Sequence, residues 1–275
     1  MTGAGGADGG ADVPGSDVHA RALGFELASQ GVRVRPLCER DLPEAKRICR
    51  RAFDTFNASV GLPPEFPPEE VADVPAECLG PALSEDDCEG FVAVDEAGAL
   101  LGSNAVVLRD GVAAIGPVTV DPSAKRAGAG RLLVQAAMQA AAKRDIRAVR
   151  LMQVAANARS FSLYLSLGFD PMPACGYYEG VCTADPPDGF KCRRLSADDV
   201  GLCSALHGRA CGTPRAEGIR RSVAGAHPTC VVFDTSENLV ALVLGRARRG
   251  RKRGRLPGTR RLPIGRRRGG AGGGR

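Results

Sequence analysis

Residues 118–140, VTVDPSAKRAGAGRLLVQAAMQA, constrain the fold more than any other stretch of the chain. A β-branched run, Val118, Thr119 and Val120, reads as a strand. It meets a loop in which Gly128 and Gly130 stand one residue apart. Ala129, Leu132, Leu133, Ala136, Ala137 and Ala140 then recur at helical spacing. A helix starting behind such a loop turns unpartnered backbone N–H groups, and the positive end of its dipole, toward the loop. That arrangement holds phosphate. Glycine suits the position because no Cβ blocks close approach, and Lys125, Arg126 and Arg131 add charge beside it. A dinucleotide fingerprint needs a third glycine where this chain has Leu133, and a P-loop needs Gly-Lys before Ser or Thr; both are missing. Taken alone, the two glycines fit a phosphate cradle and a plain helix start equally.

The flanking segments supply an order of elements. RVRPL (33–37) reads as a strand and ERDLPEAKRICRRAF as a helix, with Asp41 and Glu44 at capping-box spacing. Leu42, Ala45, Ile48, Cys49, Ala52 and Phe53 form its apolar stripe. Residues 62–83 are rich in Pro and Glu and read as a loop with one helix from Pro68. GFVAVDEAGALLGSNAVVL reads as two strands around a turn at Glu96–Gly98, and GVAAIGPVTVDP as a third strand interrupted at Gly116–Pro117. After the long helix, IRAVRLMQVAA reads as a buried strand. NARSFSLYLSLGF follows as a short helix with Phe161, Tyr164 and Leu165 on one apolar face and Gly168 at its C-terminal stop. PMPACGYYEG reads as a last strand.

This order, strand–helix–loop–three strands–helix–strand–helix, resembles the GNAT superfamily of acyl-CoA-dependent N-acyltransferases. Two segments carry the resemblance. VTVDPSAKRAGAGRLL is similar to the superfamily's strand, acidic-Pro turn and [QR]-x-x-G-x-[GA] loop; NARSFSLYLSLGF is similar to its Asn…Tyr…Gly-Phe helix motif. The match covers residues 32–183. It implies an α/β (α+β) fold with a mixed central sheet and flanking helices, acetyl-CoA as co-substrate and no metal. It further implies that the pantetheine arm of CoA lies along the backbone of Val118, Thr119 and Val120. The pyrophosphate would take N–H groups of Lys125, Arg126, Ala127, Gly128, Ala129, Gly130 and Arg131. Asn157, with Ser160, would hold the pantetheine, and the Tyr164 hydroxyl would face the leaving sulfur. A phenol with pKa ~10 hydrogen-bonds a thiolate whose conjugate acid lies near ~8.5 without giving up its proton fully, so stabilisation of the leaving group is the expected role. On the residues alone, Tyr164 also fits a core tyrosine and Asn157 a helix cap.

The sequence departs from the family at three places. Lys125 stands where Gln or Arg is usual, and Ala127 stands where a basic residue precedes the first glycine. Residues 113–120 contain no acid to act as general base; Asp110 and Asp121 are the nearest, and the base stays unassigned.

Beyond this domain a weak internal repeat appears. VRPLCERDL (34–42) lines up with CRRLSADDV (192–200), and FVAVDEAGALL with VVFDTSENLV, with Arg35, Leu37, Asp41 and Asp95 matched to Arg193, Leu195, Asp199 and Asp234. We expect a disordered leader over 1–31, a linker over 184–189, a partial second GNAT-like unit over 190–244 and a basic Arg/Gly-rich disordered tail over 245–275. Residues 245–275 hold 13 Arg or Lys and no acid, so of the net charge of +6 the rest of the chain carries −7. The tail fits weak nucleic-acid or acidic-surface contact, a nuclear import signal, or an out-of-frame end rich in residues with GC-rich codons.

No apolar run reaches the ~20 residues that span a bilayer, and the N-terminus lacks the basic start and apolar centre of a secretory signal. The 10 cysteines form no C-x-x-C pair and read as scattered thiols of a cytoplasmic protein. His19, His207 and His227 have no ligand spacing. Glu69, Glu70, Asp73, Glu77 and Glu85–Asp87 read as a solvated surface, or as attraction for a cationic acceptor. The expected activity is transfer of an acetyl group from acetyl-CoA to an amine of a small molecule or protein. A non-catalytic acyl-CoA sensor and a nucleic-acid binder acting through the tail are the alternatives.

Overall fold

The computed structural model describes residues 28–29, 31–66, 68, 73–124, 128–176, 188–225 and 229–245. Most of the expected leader and tail, most of the linker, residues 177–183 and the loop residues Lys125, Arg126 and Ala127 lie outside this set; within the expected disordered leader, Ala28 and Ser29 instead pair with Arg33 and Val32 as a short strand. In chain order the first unit comprises β1 (Ala28–Ser29), β2 (Val32–Pro36), α1 (Leu42–Ser59), α2 (Val74–Leu79), α3 (Pro81–Ser84), β3 (Cys88–Val94), β4 (Leu100–Arg109), β5 (Val112–Ile115), β6 (Thr119–Val120), α4 (Ala129–Lys143), β7 (Ala148–Leu151) and α5 (Ala158–Leu165). The sheet runs β1-β2-β3-β4-β5-β7, and β6 joins it through β4. Every pair is antiparallel except β5 with β7. No helix among the described residues is long and apolar enough to cross a membrane.

Helices cover both faces of this sheet. On one side α1, α2 and α3 enclose Leu37, Ala45, Leu79, Val92, Val94 and Ala105. On the other, α4 lays Leu132, Leu133, Val134 and a row of alanines on Ala93, Val106 and Ile115. The alanines let the α4 backbone lie close to the strands. Leu133 is wholly buried, and its truncation to Ala costs about 3 kcal/mol by the usual cavity penalty.

Four local expectations change. Asp41 does not cap α1 through its side chain; a 3-10 turn at Glu39–Asp41 precedes the helix, and the Asp41 carboxylate bonds back to the Cys38 N–H and to Arg35. The strand expected within IRAVRLMQVAA shrinks to four half-exposed residues, because pairing with β5 stops at Ile115 and Leu151. On α5 only Tyr164 of the three apolar-face residues turns inward; Phe161 and Leu165 are exposed. Gly168 does occupy the left-handed C-terminal stop, with Phe169 N–H bonded to Tyr164 O. Residues 171–176 form no strand, and the rest of that expected strand lies outside the described residues.

A second unit follows, with β8 (Lys191–Arg194), α6 (Val200–Cys211), α7 (Ala216–Ala224), β9 (Thr229–Phe233) and β10 (Leu239–Leu244) in a sheet ordered β10-β9-β8. Leu195, Val200, Cys203, Ile219 and Val231 form its core. Its geometry repeats that of β2, β3 and β4. Arg35 holds Asp41 with two bonds of 2.6 and 2.8 Å, and Arg193 holds Asp199 with two of 2.6 and 2.7 Å. Arg33 faces Val94 as Lys191 faces Phe233. Each hairpin carries a register shift at the same place, beside Leu101 and beside Val240. Each turn has the same closure, Asp95 N–H to Ala99 O and Asp234 N–H to Asn238 O, both 3.0 Å.

Cys192 and Cys230 are joined by a disulfide, where free thiols were expected; β8 and β9 are neighbours and bring the two Cα atoms to 6.6 Å. The two units touch through α7 and through the end of α6, where Arg150 of β7 donates to Cys211 O at 3.2 Å. Asp110, in the β4–β5 turn, accepts bonds from the N–H groups of Glu217 and Gly218 at 2.8 and 2.9 Å. Arg221 reaches Glu85 at 2.6 Å and Asp87 at 2.9 Å.

Candidate active site

The site grows from a split in the sheet. β5 and β7 pair in parallel up to Ile115 and Leu151. Beyond Gly116–Pro117 the chain continues as β6, which pairs with β4 through Ser103–Thr119 and Gly102–Val120 and not with β7. One edge of β6 therefore has no strand partner among the described residues, and this open edge is the candidate slot. A Cβ at Gly102 would collide with the Thr119 backbone, so glycine lets β6 sit where it does. Thr119 is buried and its hydroxyl lies 3.3 Å from that of Ser103, while Val118 and Val120 pack half-buried on the core.

The loop after β6 ends at Gly128, the residue before the first turn of α4. Its φ of 80° lies in the left-handed region, which glycine adopts without strain. Gly128 has no side chain to cap α4, and no side-chain cap forms here among the described residues. Ala129 is buried beneath the helix start. Gly130 is half-buried, and a Cβ there would meet Leu163 and Val120 at 3.5 Å, an ordinary contact. The protein around Gly130 does not itself demand glycine. Arg131 points to the far end of α5 and donates to Ser166 Oγ at 2.6 Å.

α5 supplies the opposite wall. Asn157 caps it, its Oδ1 accepting the Ser160 N–H at 3.2 Å, and the Asn157 Nδ2 has no partner among the described residues. Tyr164 packs edge-on against Phe169, ring centres 6.0 Å apart, and lies on the core of α4 and β5. Its hydroxyl has no hydrogen bond among the described residues. Burial pushes the Tyr164 hydroxyl up from its ordinary value, so it stays protonated and available as a donor.

The two acids nearest in sequence are both engaged. Asp110 holds the start of α7. Asp121 is buried; burial raises its pKa, but bonds from Ser123 N–H and Oγ at 2.8 and 2.7 Å, with Arg51, hold it below its ordinary value overall. The Arg51–Asp121 contact ties α1 to the start of the loop, across 70 positions, and nothing in the sequence pattern marks it. Glu85, Asp87 and Cys88 bring three potential metal-binding atoms together, but Arg109 and Arg221 already hold the two carboxylates.

Residues 53–169 match the profile of the Acetyltransferase (GNAT) family. The chain carries a GNAT-type N-acetyltransferase domain. No curated protein matches the chain. Among solved structures it is similar to AAC(6')-Iy in complex with the bisubstrate analogue CoA-S-monomethyl-acetylneamine, at 18% identity and TM-score 0.43, covering 55% of this chain and 99% of that one. It is similar to the PaiA N-acetyltransferase of Thermoplasma acidophilum in complex with coenzyme A, at 19% identity and TM-score 0.45, covering 53% and 93%. It is also similar to the ribosomal-protein-S18-alanine N-acetyltransferase of Escherichia coli, at 23% identity and TM-score 0.41, covering 52% and 79%. The family profile, not these likenesses, carries the assignment of the GNAT domain.

Proposed function

We propose that this GNAT domain, taken over residues 32–183, transfers an acetyl group from acetyl-CoA to an amine of a small molecule or protein. The observation that carries this reading is the slot beside β6, flanked by the open start of α4 and by the Tyr164 hydroxyl. In it the pantetheine arm lies along Val118, Thr119 and Val120, extending a sheet edge that has no strand partner. The Asn157 amide donates to the same arm beside Ser160. The pyrophosphate sits on the α4 N-terminus and the loop 125–131, with Lys125 and Arg126 offsetting its charge and Arg131, whose guanidinium bonds Ser166, offering only its N–H. The amine attacks the thioester carbonyl, the C–N bond forms, the C–S bond breaks, and the electron pair stays on sulfur. Tyr164 donates a hydrogen bond to that thiolate. Holding both reactants in one geometry supplies most of the acceleration.

With Asp110 and Asp121 engaged, the amine loses its proton to water. The rate then climbs with pH toward the acceptor's own pKa, ~10.4 for a lysine-like amine. The same two engagements favour the sensor reading, in which acetyl-CoA binds and no amine is acetylated. Calorimetry with acetyl-CoA and free-thiol release over a panel of amines separate the two. Binding with turnover supports the enzyme; binding without turnover on any amine supports the sensor. Equal acetyl-CoA affinity for wild type and Gly128→Glu removes the loop from the site.

We further propose that residues 190–244 are the first part of a second GNAT-like unit. The repeated Arg–Asp clamp, register shift and turn closure support it. This unit has neither the glycine loop nor the tyrosine helix, so it does not bind CoA in the same way.

A further inference from the structure

Arg33, Val34, Arg35, Arg40, Val94 and Gly98 line a cavity of about 250 Å3 at the β2 side of the first sheet, away from the slot beside β6. Arg33 and Arg35 alternate with Val34 along β2, so both project from one face. Arg40 comes from the 3-10 turn before α1. Asp41 fixes Arg35 with two hydrogen bonds. Arg33 and Arg40 have no carboxylate partner among the described residues. On the adjoining turn Asp95 accepts the Ala99 N–H and Glu96 lies over Gly31, and neither lines the cavity.

The second unit shows what this architecture does with the same space. By matched register, Lys191 takes the place of Arg33, Arg193 that of Arg35, Asp198 that of Arg40, Phe233 that of Val94 and Glu237 that of Gly98. The Phe233 ring lies under the Arg193 guanidinium, 4.9 Å from its carbon to the ring centre. Glu237 reaches Lys191 at 3.9 Å. A ring and a carboxylate thus come from the protein itself. In the first unit Val94 is too short, Gly98 has no side chain, and Arg40 replaces an acid with a base. The clamp is kept while its filling is removed.

We propose that this cavity binds a small organic carboxylate with a flat apolar body. The carboxylate pairs with Arg33 and Arg40, and the body lies on the Arg35 guanidinium above Val94. Guanidinium groups suit both contacts, pairing bidentately with carboxylates and stacking on rings. Asp41 holds Arg35 in place before binding, which lowers the ordering cost. The site is separate from the acetyl-CoA slot and does not depend on the reading of that slot.

The test is calorimetric titration of the full chain with sodium benzoate, beside sodium acetate and inorganic phosphate. Saturable benzoate binding is expected, with acetate and phosphate at least tenfold weaker. Arg40→Asp and Gly98→Glu, which copy the second unit, are each expected to weaken benzoate at least tenfold, and Glu237→Ala to leave it unchanged. No atom lies within 4 Å of a Cβ at position 98, but its φ of 86° strains any side chain there; Glu237 stands at φ 61° in the matched turn, so the strain is one this turn carries. Circular dichroism identifies any variant that fails to fold, and Arg33→Gln then replaces it. Absence of saturable benzoate binding, equal affinity for acetate, or wild-type benzoate affinity in the folded variants overturns the proposal.

Discussion

Arg51 on α1 donates to Asp121, the buried carboxylate at which β6 gives way to the loop before α4. One helix on the far side of the sheet therefore holds the residue at which the chain leaves β6 toward the proposed pyrophosphate loop. The contact is not in the slot, and its expected effect is on the placement of the loop.

Replacing Arg51 by Ala is expected to raise KM for acetyl-CoA about tenfold, the loss of one charge-assisted bond of roughly 1.5 kcal/mol, with kcat little changed. Arg51→Lys should recover part of it. Steady-state kinetics at varied acetyl-CoA decide the point, and a fall in kcat at constant KM would place Arg51 elsewhere in the mechanism.

Tyr164→Phe keeps the packing against Phe169 and removes only the hydroxyl. We expect kcat to fall about 100-fold, in the range of a lost acid catalyst, while KM for acetyl-CoA holds. A variant with wild-type kcat would return Tyr164 to a packing role.

Asp41→Asn and Asp199→Asn each break a two-bond clamp and are expected to cost about 2 kcal/mol in urea unfolding at pH 7. The guanidinium bonds of Arg35 and Arg193 hold both carboxyls well below the usual carboxylate range. Both acids are thus still ionised in the folded chain where an unfolded Asp, at ~3.9, takes up its proton. Their contribution is complete above about pH 5 and is lost as pH falls through the lower folded values. Wild type and variants should converge in stability in strong acid; an unchanged gap there contradicts the assignment.

Cys49 lies within α1 with its thiol pushed up to about 12 by burial, and Cys88 to about 11 by burial and then Glu85 and Asp87. Both stay protonated and poorly nucleophilic. Iodoacetamide at pH 8 should modify the exposed Cys175 and Cys211 first, with Cys49 labelled only on unfolding, as peptide mass spectrometry would show.

Much of the geometry proposed as the site was legible because it is local. Gly128 and Gly130, Asn157 and Tyr164 each lie in a short stretch whose spacing carries its own geometry, and the strands and helix around them followed from periodicity. What was not legible depends on residues distant in sequence. Asp110 and Asp121 look equally available as bases until α7 and Arg51 are seen to hold them. Asp41 and Glu44 have the right spacing for a capping box, yet Arg35 draws the Asp41 side chain away from that role. Phe161 and Leu165 share helical spacing with Tyr164, but α5 is too lightly covered to bury all three. The proposed repeat rests in the sequence on four matched letters. The register shift and turn closure that support it are encoded by no single residue.

Asp110 holds the first two N–H groups it reaches in α7, and Arg221 of the same helix is held by Glu85 and Asp87. Neither unit can unfold without breaking charged contacts to the other. Heating should therefore melt both units in one cooperative transition, with a single calorimetric peak. Asp110→Ala should divide that peak in two, the smaller unit giving way first.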